Sequence, residues 1–210
     1  MKLEMDAFRD AAGHGRPDID AGIGTHLAID RGLVVPGSTF VSTDSHANIM
    51  GAIGAFGQGM GDVDIAHAFA HGKVWFKVPP SVKVVLTGIP SPRATAKDLV
   101  LAVLRELGAN TLLGYAAEFY RDAVHALELD GRITMASMAT EMGGIIALFP
   151  PNQDVLDHAG QARGEEIQGV YADDDAEYAG ALEVDLQDLE PLLSRPGHPE
   201  DVAPVMELSG

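Results

Sequence analysis

The sequence predicts an α/β fold in two units, because short segments rich in β-branched residues alternate with segments of helical periodicity. Segments 39–43 and 82–88 have the composition of buried strands. The chain has 210 residues, of which 46% are hydrophobic, so it can bury one large core or two small ones. Its 24 glycines and 12 prolines indicate many tight turns and argue against a helical bundle.

The first unit is predicted over residues 1–80. Its strand 39–43 ends at the polar tripeptide 44–46, and ligands of open α/β sheets collect at the carboxyl ends of strands. Apolar residues at helical spacing predict a helix over 62–78, namely Val63, Ala66, Ala70 and Val74. The prolines at 79–80 end this helix and mark a predicted domain boundary.

The second unit is predicted over residues 81–150 and opens with the strand 82–88. Thr95 is predicted to cap the following helix, and Asp98 stands three positions later, as in a capping box. Apolar residues then continue at helical spacing until Gly108, which is predicted to end the helix.

The remaining elements are predicted from weaker patterns. A helix is expected over 117–127 and a strand over 132–138. Beyond residue 150 the chain becomes acidic and less periodic, with a short edge strand expected at 183–186. We therefore predict that residues 151–210 form an acidic connector rather than a third packed unit.

The charge balance excludes several classes of partner. The chain carries 31 acidic and 14 basic residues, for a net charge of −17. A nucleic-acid-binding protein needs a positive surface, and an anionic membrane would repel this chain. Residues 1–6 lack the apolar core of a signal peptide, so a cytoplasmic location is expected. The absence of cysteine excludes disulfides and thiolate metal sites in this chain.

Two histidines and two carboxylates are the main candidates for chemistry, namely His26, Asp44, His46 and Glu141. A histidine paired with a carboxylate has its tautomer fixed and its imidazolium stabilised, which suits proton transfer to a leaving hydroxyl group. An isolated Asp-Ser-His sequence is also typical of a helix cap, and that alternative remains open from the residues alone.

Two further patterns are interpreted as structural. The five glycines between 51 and 61 do not complete a dinucleotide fingerprint, because Asp62 stands where the last glycine belongs. We therefore expect these glycines to allow close packing of a loop on a helix. His67 and His71 have the i, i+4 spacing of metal ligands but lack the glutamate of a metalloprotease motif, so ordinary polar roles are predicted.

Seven segments, in order along nearly the whole chain, carry a specific combination of motifs. They include the Gly-Ile-Gly-Thr-His step, the Asp-Ser-His signature and a stretch that ends in glutamate, and they span residues 22–26, 31–37, 43–46, 51–56, 72–79, 133–141 and the tail 171–207. This combination resembles the large, catalytic subunit of the aconitase and 3-isopropylmalate dehydratase superfamily. The resemblance implies two aconitase-type three-layer α/β units, the first incomplete, followed by the acidic connector.

The resemblance also implies roles for individual residues. It pairs His26 with Asp44 and His46 with Glu141 as carboxylate–histidine pairs around a hydroxy di- or tricarboxylic acid. Such an enzyme is a hydro-lyase, which reversibly removes and adds water. The resemblance further implies that three polar residues contact the substrate, namely Ser45, Asn48 and Ser137.

The family implies a [4Fe–4S] cluster in the complete enzyme, but this chain has no cysteine to hold one, so no metal ligand is predicted here. The family segments with the cluster cysteines and the swivelling domain are not recognised in the sequence. We therefore expect an interior fragment that is inactive alone and is completed by a second chain or a missing segment.

Other departures and alternatives accompany this interpretation. Ala47 stands where the family has threonine, Asn48 and Ile49 replace polar neighbours, and Ala136-Ser137 replaces a Cys-Asn pair. One alternative is a cluster-free module that binds carboxylates. Another is an interaction or structural protein that retains the fold of an enzyme.

Overall fold

A computed structural model describes residues 22–208, so the predictions about residues 1–6 lie outside the described part of the chain. A 3-10 helix, Ser45–Ile53, lies between the first two strands, and a second one covers Val205–Leu208. The helices are α1 (Gly24–Asp30), α2 (Asp62–His71), α3 (Ala96–Leu107), α4 (Asp122–His125), α5 (Leu129–Ser137) and α6 (Gln153–Arg163). The strands are β1 (Thr39–Ser42), β2 (Phe56–Gly59), β3 (Ser81–Thr87), β4 (Ala116–Tyr120), β5 (Ile146–Leu148), β6 (Gly180–Asp185), β7 (Leu192–Ser194) and β8 (Val202–Pro204).

The main sheet is parallel and has the strand order β5-β4-β3-β6. Strands β1 and β2 form a separate parallel pair, and β7 and β8 form an antiparallel pair. Mixed helices and parallel sheets confirm the predicted α/β class. The edge strand expected at 183–186 is also present, as β6, although it begins earlier and pairs with β3.

Helix α3 supplies much of the core that covers one face of the main sheet. Residues 98–104 of this helix are all buried, and they pack with Val84 and Leu86 of β3 and Phe119 of β4. The predicted capping box is confirmed, since the Asp98 carboxylate accepts hydrogen bonds from the Thr95 backbone N–H and hydroxyl at 2.6 and 2.7 Å.

Two predictions were wrong in the segment that follows α3. The predicted helix 117–127 is instead strand β4 followed by the short helix α4. The first part is a strand because the alternate residues Ala117 and Phe119 enter the core. Arg121, with a positive φ of 92°, separates the strand from the helix. The predicted strand 132–138 lies in helix α5 instead. Its buried residues 132, 135 and 136 follow the i, i+3, i+4 spacing of one helical face.

Helix α2 is shorter than predicted. It ends at His71 because Gly72 adopts a left-handed conformation (φ 70°) as its C-cap, so residues 73–78 continue as an extended segment. None of the ten residues of α2 is buried. The apolar face that the sequence predicts for this helix therefore has no cover among the described residues.

The side chain of Arg132, on α5, is fully buried. Its guanidinium donates hydrogen bonds to the carbonyl oxygens of Val124, Leu127 and Pro150, at 3.2, 3.1 and 2.9 Å. Burial lowers the pKa of Arg132, and the Asp154 carboxylate opposes that shift. The arginine thus ties α4, α5 and the end of β5 together through backbone oxygens.

The opposite face of the main sheet carries a polar cluster. The Tyr120 and Tyr178 hydroxyls lie 2.8 and 3.1 Å from the Glu118 carboxylate, and the Lys83 ammonium lies about 5 Å from both rings. Burial is the main cause that raises the pKa of Tyr120, and the hydrogen bonds to Tyr178 and Glu118 raise it further. The cluster attaches the segment before β6 to the sheet.

Among residues 22–208, no helix combines the length and apolar character needed to cross a bilayer.

Candidate active-site cleft

The Asp-Ser-His sequence stands at the junction of β1 and the 3-10 helix. Asp44 is the N-cap of that helix, and its carboxylate accepts a hydrogen bond from the His46 backbone N–H at 2.9 Å. The Ser42 hydroxyl in turn accepts from the Asp44 backbone N–H at 3.1 Å. The capping role predicted as the alternative is therefore present, and it holds residues 44–46 at the carboxyl end of β1.

The glycine run packs closely, as predicted. A Cβ atom at Gly51 would collide with the carbonyl oxygen of Ala147, and one at Gly57 with that of Ala47. The 3-10 helix therefore sits directly against β2 and β5 with no room for side chains at these two positions. The glycines serve packing that shapes the site and give no sign of a nucleotide-binding loop.

A cleft of about 430 Å³ opens at the carboxyl ends of the parallel strands β1 and β2. One wall is formed by residues at these strand ends and on the 3-10 helix, and the opposite wall by the turn between α5 and β5. The lining residues are Thr43, Ser45, Asn48, Gln58, Gly59, Met60, Gly61, Thr140, Gly143, Gly144 and Ile145. Ligands of parallel sheets bind at this kind of edge.

Asn48 joins the two walls of the cleft. It is only 2% exposed, and its amide donates a hydrogen bond to the Thr140 hydroxyl at 3.0 Å across 92 residues of sequence. Two buried polar atoms in this part of the structure, Asn48 Oδ1 and Glu141 Oε2, have no hydrogen-bond partner. His26 Nδ1, on α1, is likewise without one, and so are three atoms elsewhere among the described residues. Buried polar atoms without partners are uncommon and call for an explanation, and at the cleft a bound polar ligand would supply one.

The carboxylate–histidine contact that the structure shows differs from the implied pairing. Asp44 Oδ1 lies 3.7 Å from His46 Nδ1, and both side chains are about half exposed. The Ser45 hydroxyl lies 3.3 Å from the same His46 nitrogen. Asp44 is thus in contact with His46, and Glu141 Oε2 has no hydrogen-bond partner.

The predicted site residues are therefore only partly gathered in one place. Ser45 and Asn48 line the cleft, and Glu141 directly follows the lining residue Thr140. Ser137, by contrast, donates its hydroxyl hydrogen bond to the carbonyl of Thr134 within α5, at 2.8 Å.

Sequence reasoning did not single out several of the cleft residues. Thr140 lies within the segment 133–141 that resembles the family, but the resemblance assigned no role to it. Gln58 and the pair Gly143-Gly144 could have been suspected from their places beside Gly57-Gly59 and Glu141. Their convergence depends on tertiary packing between segments far apart in the chain.

The residues of this chain do not fit an iron–sulfur cluster. The sequence contains no cysteine, and residues 22–208 contain no group of three or more histidines and carboxylates arranged to hold a metal. The His67 and His71 rings lie 4.3 Å apart between centroids and are tilted by 43°, and His67 contacts the Lys73 carbonyl oxygen at 3.2 Å.

Comparison with known proteins identifies the family. The sequence model described as the aconitase family (aconitate hydratase) matches residues 4–209. This chain belongs to the aconitase family. The resemblance seen in the sequence motifs is therefore confirmed, and the relatives of the chain are hydro-lyases, as expected.

Individual relatives are named as large subunits. The 3-isopropylmalate dehydratase large subunit of a Nitratiruptor species is 39% identical over 204 residues, covering 96% of this chain and 48% of that protein. That of Oleidesulfovibrio alaskensis is 41% identical over 191 residues, covering 91% and 46%. The probable methanogen homoaconitase large subunit of Methanothermobacter thermautotrophicus is 36% identical, covering 90% and 44%. This aconitase-family chain spans about half the length of these relatives.

Proposed function

We propose that this chain forms part of a hydro-lyase that reversibly dehydrates and rehydrates a hydroxy di- or tricarboxylic acid. The observation that carries the proposal is the cleft at the carboxyl ends of β1 and β2, lined by Ser45, Asn48 and Thr140. The Asp44–His46 pair lies beside it, at 3.7 Å. The names of the relatives support the substrate class, which includes 3-isopropylmalate, homoaconitate and aconitate as candidates.

The reaction requires two proton transfers. A base removes the proton from the carbon next to a carboxylate, the carbon–oxygen bond to the hydroxyl group breaks, and the leaving hydroxide takes a proton to depart as water. We assign the second transfer to His46, whose Nδ1 lies 3.7 Å from the Asp44 carboxylate. The Ser45 and Thr140 hydroxyls offer hydrogen-bond donors for substrate carboxylates.

The remaining parts of the reaction are proposed to come from outside this chain. These parts are the base that removes the carbon-bound proton, the cluster cysteines and a swivelling domain. A second chain or a further segment would supply them, and the chain alone would then show no turnover. We also propose the cytoplasm as its location, and the unit boundaries near residues 80 and 150 as given above.

The proposal is tested by NMR titration of the isotope-labelled chain with malate, 3-isopropylmalate and citrate. Succinate and tricarballylate, which lack the hydroxyl group, serve as matched ligands. We expect the hydroxy acids to shift the amide signals of residues 43–48 and 140–144. His46→Ala is expected to weaken binding about tenfold, or about 1.4 kcal/mol. His198→Ala, a change at an exposed histidine in the tail, is the control.

Two results would overturn the proposal. One is the absence of shifts with every hydroxy acid, and the other is equal weakening by His46→Ala and His198→Ala. Binding without turnover after the complementary half is added would favour the cluster-free carboxylate-binding module instead.

A further inference from the structure

Helix α2 turns an apolar stripe towards solvent. Val63, Ala66 and Ala70 follow the i, i+3, i+7 spacing of one helical face, and Phe69 lies at its border. All four are exposed, Val63 by 83% and Phe69 by 68%. A ten-residue helix that buries no side chain is marginal in water, so its stability calls for a covering partner.

The segment after α2 extends this apolar character. Phe76 stacks on Phe56 of β2 with a centroid distance of 4.8 Å, which anchors the segment to the fold. On either side of this anchor, Trp75 is 87% exposed and Val78 is 77% exposed. Trp75 is the chain's only tryptophan, and exposed tryptophans are enriched among the residues that dominate binding energy at protein interfaces.

The charged side chains of this region have both signs. Asp62 and Asp64 stand in the first turn of α2, and Lys73 and Lys77 are exposed beside Trp75. A partner of complementary charge would therefore present carboxylates opposite the two lysines and basic groups opposite the two aspartates, around an apolar centre.

We propose that this surface, formed by α2 and residues 73–78 and called here the α2 surface, docks the half of the family's large subunit that this chain does not contain. The proposal rests on the function proposed above only for the identity of that partner. The partner face is apolar, with carboxylates opposite Lys73 and Lys77 and basic groups opposite Asp62 and Asp64. Relatives of the chain are about twice as long, so they contain a polypeptide of sufficient size to cover the surface.

A second copy of this chain is a poorer occupant of the α2 surface. Each copy carries a net charge of −17, so two copies repel each other at long range. A symmetric contact must also make one surface complementary to itself, a condition that a different polypeptide does not have to meet.

The test is co-expression of this chain with the segments of the Nitratiruptor large subunit that lie outside the matched region. Co-purification is expected, with slowed amide hydrogen exchange across residues 62–78 relative to the chain alone. Phe69→Glu is expected to weaken the complex at least tenfold. The matched control is Ile89→Glu, which changes a residue of similar exposure (76%) beyond the other end of β3 and is expected to have no effect.

Several outcomes would overturn the inference. These are the absence of a complex, a complex equally affected by Phe69→Glu and Ile89→Glu, or self-association of the chain that Phe69→Glu abolishes. Slow exchange across 62–78 in the isolated monomer would show that the chain covers the surface itself, which also contradicts the proposal. The ligand titration of the cleft does not involve Phe69, so failure of docking and failure of the proposed function are distinguishable.

Discussion

Helices α2 and α3 carry the same kind of apolar periodicity, yet they differ in what covers it. Helix α3 buries residues 98–104 against the main sheet, whereas α2 buries none of its residues. Helix α3 also has a full capping box, whereas the N-cap of α2 is Gly61, which has no side chain to cap the helix. A periodic pattern thus predicts that a helical face is covered, but it does not identify the covering element.

The largest expected effect is at a fully buried position of α3. Leu104→Ala is expected to lower the free energy of unfolding by roughly 2–5 kcal/mol, because the side chain is fully buried and leaves a cavity. Phe69→Ala on α2 should change it by no more than about 0.5 kcal/mol. Urea unfolding followed by circular dichroism measures both, and equal losses would remove the distinction between the two helices.

A second test concerns the buried arginine that positions α5. Arg132→Met is expected to cost about 3 kcal/mol, because three carbonyl oxygens lose their donors inside the protein. Arg93→Met, at a side chain that is 76% exposed, is the control and should have little effect. If urea unfolding gave similar values for the two variants, Arg132 would have no special role in holding α5.

The N-termini of α3 and α2 differ at equivalent positions. Asp98→Ala is expected to cost about 2 kcal/mol, because its carboxylate caps α3 and also accepts a hydrogen bond from the Leu192 N–H at 2.7 Å. Asp64→Ala, at the third position of α2, removes only a favourable charge near a helix N-terminus, worth about 0.5 kcal/mol. Thermal unfolding distinguishes the two, and a larger loss for Asp64→Ala would contradict this account.

The smallest expected effect is on the sheet face opposite α3. The raised pKa of Tyr120 favours its protonated form in the folded state. Its stabilising contribution is therefore complete below pH about 10 and declines as the pH rises above that value. The decline should be well below the ~1.4 kcal/mol per pH unit of one fully shifted group, because Tyr120 is only partly buried.

Urea midpoints measured across this alkaline range check the prediction. Tyr120→Phe should make the urea midpoint less dependent on pH. Tyr115→Phe, which alters an exposed tyrosine just before β4, should leave that dependence unchanged. An unchanged slope in Tyr120→Phe would show that other groups govern the alkaline loss of stability.

Local chemistry explains which elements could be predicted from the sequence. The capped helix α3 and the strands at 39–42 and 81–87 depend on signals carried by neighbouring residues. Segment 117–127 contains many helix-forming residues, but pairing with β3 makes its first part a strand. Segment 132–138 has β-branched residues, yet burial of Arg132 and Met135 along one face favours a helix.

The candidate site shows the same division. Ser45 and Asn48 were predicted from a contiguous motif, and both line the cleft. Thr140 reaches Asn48 only because α5 packs on the 3-10 helix, a contact with no local signature. The contact of Asp44 with His46 likewise follows from the geometry of the cap rather than from the motif.

The pairing of β3 with β6 has a consequence for how the chain is made. Thr87 and Val184, which meet across these strands, are 97 residues apart in sequence. At the ~5–20 residues per second of protein synthesis, the edge of β3 waits on the order of 10 s for its neighbour. During that time a valine-rich strand edge is open to pairing with another nascent chain. Aggregation during synthesis should therefore fall when translation downstream of β3 is fast.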